Sequence, residues 1–435
     1  MILDGIKSIG VLGFGREGLS VYEFLLRDYS DLEIHIFDQR SLEDFSEEII
    51  SDFEAHNVVL HLGDNYLDFL NEVEFLVKSP GVNPRQPEIV RFLGLGGRYT
   101  TATNLFFERV SGKTIGITGS KGKSTTSTMI FESLTDCGLE SYLVGNIGEP
   151  ILNYLEFDNP NVYFVVEMSS QQLEEFEGQV DYALFTSFFA DHMDYHGGMQ
   201  AYIEAKVNLF KNAKLTIYNG DDQVVMDILK SHGVLARKAQ KYGLSFDSDS
   251  CSVFLNNLEF LKASDILLAG AHNMKNMLLV LALIVEIGLD VNRVQKVLHR
   301  FSGLEHRMQV VSRDPMIVND SASVTPESTL ACLQAYSGVA SSRVIILSGM
   351  DRGYDYTILN SVLTTDDIVC VSKDLSEKVL EQISVCKVMQ FDSLAQSVSY
   401  ALDLDGVTVL FSPGAPSYNQ FKNFYKRGEW FLEQV

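Results

Sequence analysis

Thr114-Ile-Gly-Ile-Thr-Gly-Ser-Lys-Gly-Lys-Ser-Thr125 is the stretch from which the rest of the chain is read. A β-rich apolar run ends there in a glycine-rich turn, and the helix-prone stretch 126–134 follows at once. Glycines let successive backbone N–H groups curl round an anion, and the helix N-terminus adds its dipole. In that setting Gly119, Ser120, Lys121, Gly122, Lys123, Ser124 and Thr125 form a phosphate loop. Lys123 reaches the β- and γ-phosphates and Ser124 offers a hydroxyl to Mg²⁺. Counted from Gly116, the spacing is one residue longer than a strict GxxxxGK[ST]. The alternative is an ordinary strand-to-helix turn.

Outward from the loop, apolar β-branched runs alternate with amphipathic stretches, which predicts an α/β protein with mostly parallel sheets. Strands are expected at 8–12, 33–37 and 75–77, then, beyond the loop, at 162–167, 182–185 and 215–219. A helix over 276–287 leads to a turn at 301–303, and further strands are expected at 316–318, 344–347, 368–371 and 408–411. At roughly 100–200 residues per domain, 435 residues divide into three: 1–101, 102–302 and 303–435.

The formal net charge of −24 argues against a nucleic-acid binder, since a phosphate backbone demands a basic surface. The five cysteines form no CxxC pair, which argues against a thiolate metal site or a disulfide framework and for a reducing compartment. The longest pure apolar run, 277–285, has nine residues, against the ~20 needed to span a bilayer. The opening residues carry no cationic and apolar leader pattern, so a cytoplasmic protein without membrane association is expected.

Three more stretches carry chemistry. Val166-Glu-Met-Ser-Ser-Gln-Gln-Leu173 closes an apolar strand, and the carboxyl ends of strands face the ligand crevice of open α/β sheets. Glu167 there offers a hard oxygen for Mg²⁺; a solvated or helix-capping carboxylate is the alternative. Asp191-His-Met-Asp-Tyr-His-Gly197 follows another strand, with Lys206 fourteen residues after His192 on a helix. Each histidine alone reads as a loop residue, but their company with Glu167 and Lys123 points to a working site. Gly13-Phe-Gly-Arg-Glu-Gly18, with Asp38 twenty residues on, matches the dinucleotide fingerprint. That leaves open a nicotinamide-dependent oxidoreductase, or another phosphorylated nucleotide at the same turn.

Together these motifs resemble the Mur ligase family. They are TGSKGKST, EMSSQQLE, DHMDYHG with AYIEAK, GAHNMKN (270–276), GLEHR (303–307) and NDS (319–321), in the family's order over essentially the whole chain. Within the family, GFGREG and the C-terminal SPGAPSYNQFKNFYKRG look like the glutamate-adding branch. The resemblance implies a Rossmann-like first domain binding the UDP part of the substrate, a central P-loop ATPase-type domain and a Rossmann-like C-terminal domain. The implied activity is ATP-dependent addition of glutamate, taken as the D-enantiomer, to UDP-N-acetylmuramoyl-L-alanine through an acyl phosphate, in peptidoglycan precursor synthesis. A monomer is expected.

Site roles follow from the resemblance alone. Lys123, Glu167, His192 and Lys206 would be catalytic. Ser124, Glu167, His192 and Lys206, the last as its carbamate, would hold two Mg²⁺ ions. Asn273, Asn276, Arg307 and Asp320 would join the phosphate loop on ATP. Gly13, Gly15, Arg16, Gly18, Asp38, Arg40, Ser79, Gly81, Asn146 and Ser169 would contact the UDP substrate, and Arg352, Ser417 and Phe424 the incoming glutamate. The chain departs from the family at Lys121, where asparagine is usual, and at Ser321-Ala-Ser-Val-Thr-Pro326, where SKAT is common. It also reads Asp351-Arg-Gly353 where some members carry a lysine. Other amino-acid-adding Mur ligases, an L-glutamate-specific variant, a folylpolyglutamate synthase and a non-catalytic scaffold are the remaining readings.

Overall fold

A computed structural model describes residues 2–268, 270–338, 342–351, 353–375 and 378–435. The chain forms two compact units, the first being Met1–Phe246, Phe254–Leu258 and Lys275–Val294, and the second Asp247–Val253, Glu259–Met274 and Gln295–Val435. The architecture is α/β with multiple sheets of mainly parallel strands, as the alternation of patterns predicts.

In the first unit, Ser8–Leu12, Glu33–Asp38, Val59–Leu62, Phe75–Lys78 and Arg98–Thr100 make a five-stranded parallel sheet, ordered third, second, first, fourth, fifth. The chain crosses over where Ser8–Leu12 meets Phe75–Lys78, the switch point at which α/β sheets bind ligands. Both faces are covered: Ile9, Val11 and Ile36 pack beneath Tyr22 and Leu25 of the helix Arg16–Asp28, while Leu12, Phe37 and Leu76 pack against Leu70 and Phe92. That two-sided burial is why these strands read as continuous apolar runs.

The glycine turn between the first strand and that helix is sterically determined. Gly13 has φ +85°, and a β-carbon at Gly18 would stand 2.1 Å from the Gly13 carbonyl oxygen. Gly18→Val is expected to destabilise the protein by at least the ~1–3 kcal/mol typical of overpacking. The check is the denaturant midpoint at unchanged m; a wild-type midpoint would show that the turn opens freely.

The second sheet of this unit is six-stranded and parallel: Ala236–Lys238, Ala213–Tyr218, Val180–Phe185, Lys113–Thr118, Tyr163–Glu167, Ser141–Gly145. Lys113–Thr118 lies in its interior, and its Ile115 and Ile117 are wholly buried. One apolar cluster runs from Leu3 through Phe106, Phe164 and Phe185 to Leu229, so the two sheets share a core.

The sheet of the second unit runs Gln309–Arg313, Met316–Asn319, Thr408–Gly414, Arg343–Ser348, Ile368–Ser372, Lys387–Phe391. Its first pair is antiparallel and the rest are parallel. Val318, Ile345 and Leu347 pack with Leu333 of the helix Pro326–Ala335 on one face; Val344, Ile346 and Phe411 pack with Phe431 on the other. Thr325, in the departure from SKAT, N-caps the helix Pro326–Ala335 by accepting from the Ser328 amide. A three-stranded sheet, Leu244–Asp247, Ser252–Leu255 and Leu258–Lys262, precedes the helix Ala271–Glu286, which starts earlier than the expected 276–287. Among the described residues no helix is long and apolar enough to cross a membrane.

Candidate functional site

The site grows from the interior strand Lys113–Thr118. At its end, a β-carbon on Gly119 would stand 2.0 Å from the Thr186 hydroxyl, and Gly122, at φ +85°, caps the helix Lys123–Asp136. Only glycine fits the first position, and the second needs a left-handed backbone. The turn is pinned by the segment that follows the neighbouring strand Val180–Phe185: the Ser120 amide donates to the Ser187 carbonyl at 2.8 Å, the Ser120 hydroxyl to the Phe189 carbonyl at 2.8 Å, and the Lys121 amide to the Ser187 hydroxyl at 3.0 Å. Lys123 Nζ donates to the Gly119 and Ser120 carbonyls at 2.9 and 3.3 Å, folding its charge over the loop. Ser124 and Thr125 follow in the first helical turn, half-buried. Asn276 lies on the loop as well, its Oδ1 2.7 Å from where a Gly122 β-carbon would stand.

A cavity of about 440 Å³ opens beside the loop, lined in part by Lys123, Asn146, Ser169, His192 and Lys206. Glu167 ends the neighbouring strand, 1% exposed; one carboxylate oxygen accepts from Asn146 Nδ2 at 2.6 Å. The other, Oε2, is buried without a hydrogen-bond partner among the described residues. A buried carboxylate oxygen left unmatched is costly, and a hard cation is the partner such an oxygen suits.

Lys206 projects from the helix Met199–Lys211 with only 2% exposure. Its amine donates to the Gly119 carbonyl at 2.9 Å and lies 4.8 Å from the Tyr202 ring centre, one helical turn back. Burial, and then the like charge of Lys123, push its pKa down to about 7. His192, at φ 50°, is half-exposed beside Asp191 at 3.6 Å.

The described structure adds residues to which the sequence assigned no role. Asp191, Tyr195, Tyr202, Ser170 and Gln171 line the cavity. His196 stands behind them, bonded to the Ser170 hydroxyl at 2.9 Å. Burial, and then the charges of Arg85, His192 and Lys206, push His196 down to about 4, so it is neutral near pH 7. Tyr195 and His196 belong to the quoted DHMDYHG motif, but nothing in one-dimensional spacing says which of its side chains turns inward.

Pro80 and Gly81, just after the strand Phe75–Lys78, bring the carboxyl end of the first sheet to this cavity. Buried Lys78 holds their turn, donating to the Ser79 and Val82 carbonyls at 3.3 and 3.0 Å and pairing with Glu175 at 3.1 Å. Of the expected UDP contacts, Gly81, Asn146 and Ser169 reach the cavity, and Gly13, Gly15, Arg16, Gly18, Asp38, Arg40 and Ser79 cluster instead at the end of the first strand. There Asp38 is engaged by the protein itself, accepting from the Phe14 amide at 2.6 Å and from the Arg40 amide and Nε at 2.9 Å each. Burial alone would raise its pKa, but these bonds and the Arg40 charge hold it below the usual carboxylate range. Arg16 donates to the Gly148 carbonyl at 2.7 Å, and the Ser79 hydroxyl to the Gly13 carbonyl at 2.7 Å.

Arg307, Asp320, Ser417 and Phe424 belong to the second unit, as does Asn273, a turn before Asn276 on its helix. Asp320 is buried and accepts from the Ser412 hydroxyl at 2.7 Å and the Met308 amide at 3.0 Å; burial outweighs these bonds and raises its pKa to about 6. Arg307 is exposed and Ser417 is buried. Arg427, another residue without a role assigned from sequence, is 1% exposed and donates to the Ser321 and Ala415 carbonyls at 2.8 and 2.9 Å. It thereby fixes the segments that carry Asp320 and Ser417, while the Phe424 carbonyl accepts from the Ser321 hydroxyl at 2.8 Å. Arg352 lies outside the described residues.

Residues 117–284 match the family model of the Mur ligase middle domain, and residues 7–98 that of the Mur ligase MurD-like N-terminal domain. The chain is 32% identical to the UDP-N-acetylmuramoylalanine--D-glutamate ligase of Vibrio campbellii, over 98% of this chain and 97% of that one. It is 28% identical to the enzyme of the same name from Geobacillus kaustophilus, over 99% and 97%. Among solved structures, the UDP-N-acetylmuramate-alanine ligase of Thermotoga maritima superposes with a TM-score of 0.57 at 19% identity, covering 99% of each chain. The pseudomurein peptide ligase type C of Methanothermus fervidus does so at 0.54 and 16%, covering 98% and 99%. Both structures speak for the fold alone.

Proposed function

The chain belongs to the Mur ligase family, ATP-dependent ligases that form carbon–nitrogen bonds, and we propose that it adds D-glutamate to UDP-N-acetylmuramoyl-L-alanine. The observation that carries this reading is the convergence of Lys123, Lys206, His192 and Asn146 on one cavity, over a glutamate with an unmatched buried oxygen. The dehydrogenase alternative loses its support, since residues 7–98, which carry the glycine fingerprint, match the Mur ligase MurD-like N-terminal domain.

A carboxylate resists attack by an amine until one of its oxygens becomes a leaving group. The alanine carboxylate of the substrate attacks the γ-phosphorus of ATP, ADP departs, and an acyl phosphate forms. Phosphoryl transfer is mostly positioning and charge neutralisation. Lys123 supplies the moving cation and the amides of 119–125 the fixed dipoles. The neutral amine of glutamate then attacks the acyl carbon, losing a proton, and phosphate leaves. Ser124, Glu167, His192 and Lys206, the last as its carbamate, would hold Mg²⁺, which would supply Lewis-acid neutralisation of phosphate oxygens. Asn273, Asn276, Arg307 and Asp320 are assigned to ATP. Gly13, Gly15, Arg16, Gly18, Asp38, Arg40, Ser79, Gly81, Asn146 and Ser169 are assigned to the UDP substrate. Ser417, Phe424 and Arg352 are assigned to glutamate, and the domain boundaries to 101 and 302. A cytoplasmic location, which five free thiols suit, and a monomeric state complete the reading.

The test is phosphate release from ATP and Mg²⁺ with UDP-N-acetylmuramoyl-L-alanine across a panel of D- and L-amino acids. Turnover with D-glutamate is expected; equal turnover with lysine or diaminopimelate would sink the assignment.

A further inference from the structure

We propose that His35, His61 and Glu72, none of them assigned to the ligase reaction, form a binding site for a Zn²⁺-class divalent ion. His35 and His61 sit on adjacent parallel strands of the first sheet, His61 facing Phe37 in the register, so both imidazoles lie on one face. They are 4% and 8% exposed, and His35 Nδ1 stands 2.9 Å from His61 Nε2. Glu72, at the end of the turn Tyr66–Glu72, brings a carboxylate oxygen 3.6 Å from the same His61 nitrogen. The three ligand atoms all lie within 4.8 Å of one another.

Two donors bound tetrahedrally at the usual ~2.0–2.1 Å from zinc stand about 3.3 Å apart. The spacings of 2.9 and 3.6 Å bracket that value, and with the third pair inside 4.8 Å, side-chain rotations within the cluster bring the set onto a metal. The surroundings match what a ligating histidine needs. Rings of Phe37 and Phe69 stack on His61 with centres 4.5 and 5.2 Å away, fixing its plane. The far nitrogen of His35 is buried without a hydrogen-bond partner, and the Glu33 carboxylate stands 3.6 Å from it. A carboxylate on the far nitrogen orients and strengthens a metal-bound imidazole. Two imidazoles and a carboxylate, with a fourth position left for water, suit zinc and its neighbours better than Mg²⁺. The ion would tie the strand Val59–Leu62, at the edge of the sheet, to its neighbour and to the turn that follows.

The test is Co²⁺ titration of the full chain in excess Mg²⁺, read by visible d–d absorption, with Zn²⁺ competition and the denaturation midpoint alongside. One equivalent of Co²⁺, displaced by Zn²⁺, is expected in the wild type, with a midpoint that rises on adding Zn²⁺. His61→Gln should abolish both. Glu72→Gln, which alters only a half-exposed side chain and leaves the core intact, should weaken Co²⁺ at least tenfold. Absence of the bands in the wild type, or wild-type affinity in Glu72→Gln, would reduce the cluster to a hydrogen-bonded histidine pair.

Discussion

Lys123→Ala is expected to lower kcat by about 10²–10³-fold, the usual cost of removing one contact that strengthens as charge develops in the transition state. The side chain rests on the Gly119 and Ser120 carbonyls and so sits over the glycine turn before any nucleotide arrives. No repacking follows its loss, because Lys123 is only half-buried and its helix is capped by Gly122. The denaturant midpoint should therefore stay near wild type while turnover collapses. A variant with more than a tenth of wild-type kcat and an unchanged fold would make the loop a structural turn.

Lys206→Ala is expected to be nearly inactive, and millimolar acetate should restore part of the rate. Carbamylation by CO₂ consumes the neutral amine, and an ordinary lysine at pKa ≈ 10.4 is neutral in roughly one molecule in 10³–10⁴ at pH 7. Burial and the charge of Lys123 bring Lys206 down to about 7, so near neutral pH about half of it is free amine. The carbamate is an anion with two oxygens, which turns a repulsive neighbour of Mg²⁺ into a ligand. The competing account, a lysine paired with a carboxylate on its helix surface at ~0.2–1 kcal/mol, fits poorly with 2% exposure and a contact to the Gly119 carbonyl. Its expected result differs as well: most of the rate would survive in Lys206→Ala, and acetate would do nothing. Kinetics in CO₂-depleted buffer, restored by bicarbonate, separate the two without mutation.

How far the sequence reached depended on where each signal resides. Strands with both faces buried, such as Lys113–Thr118 and Arg343–Ser348, have apolar centres and are legible to within a residue or two. Val59–Leu62 and Ser141–Gly145 are only part-buried and mixed in composition, and they passed unread. The phosphate loop was visible because its glycines answer a local steric demand. Tyr202 and the inward turn of His196 depend on how the helix Met199–Lys211 lies against the loop, which spacing does not encode. Arg427 was invisible for the same reason. Its partners Ser321, Ser348 and Ala415 come from three separate segments, and a buried arginine is typed no differently from a surface one.

The most direct test of the central claim follows one oxygen atom. UDP-N-acetylmuramoyl-alanine labelled with ¹⁸O in both alanine carboxylate oxygens is turned over with ATP, Mg²⁺ and D-glutamate, and the released phosphate is weighed by mass spectrometry. Carboxylate activation as an acyl phosphate predicts one ¹⁸O in each phosphate formed and one retained in the new amide. Phosphate carrying no ¹⁸O, with product still made, would contradict the account.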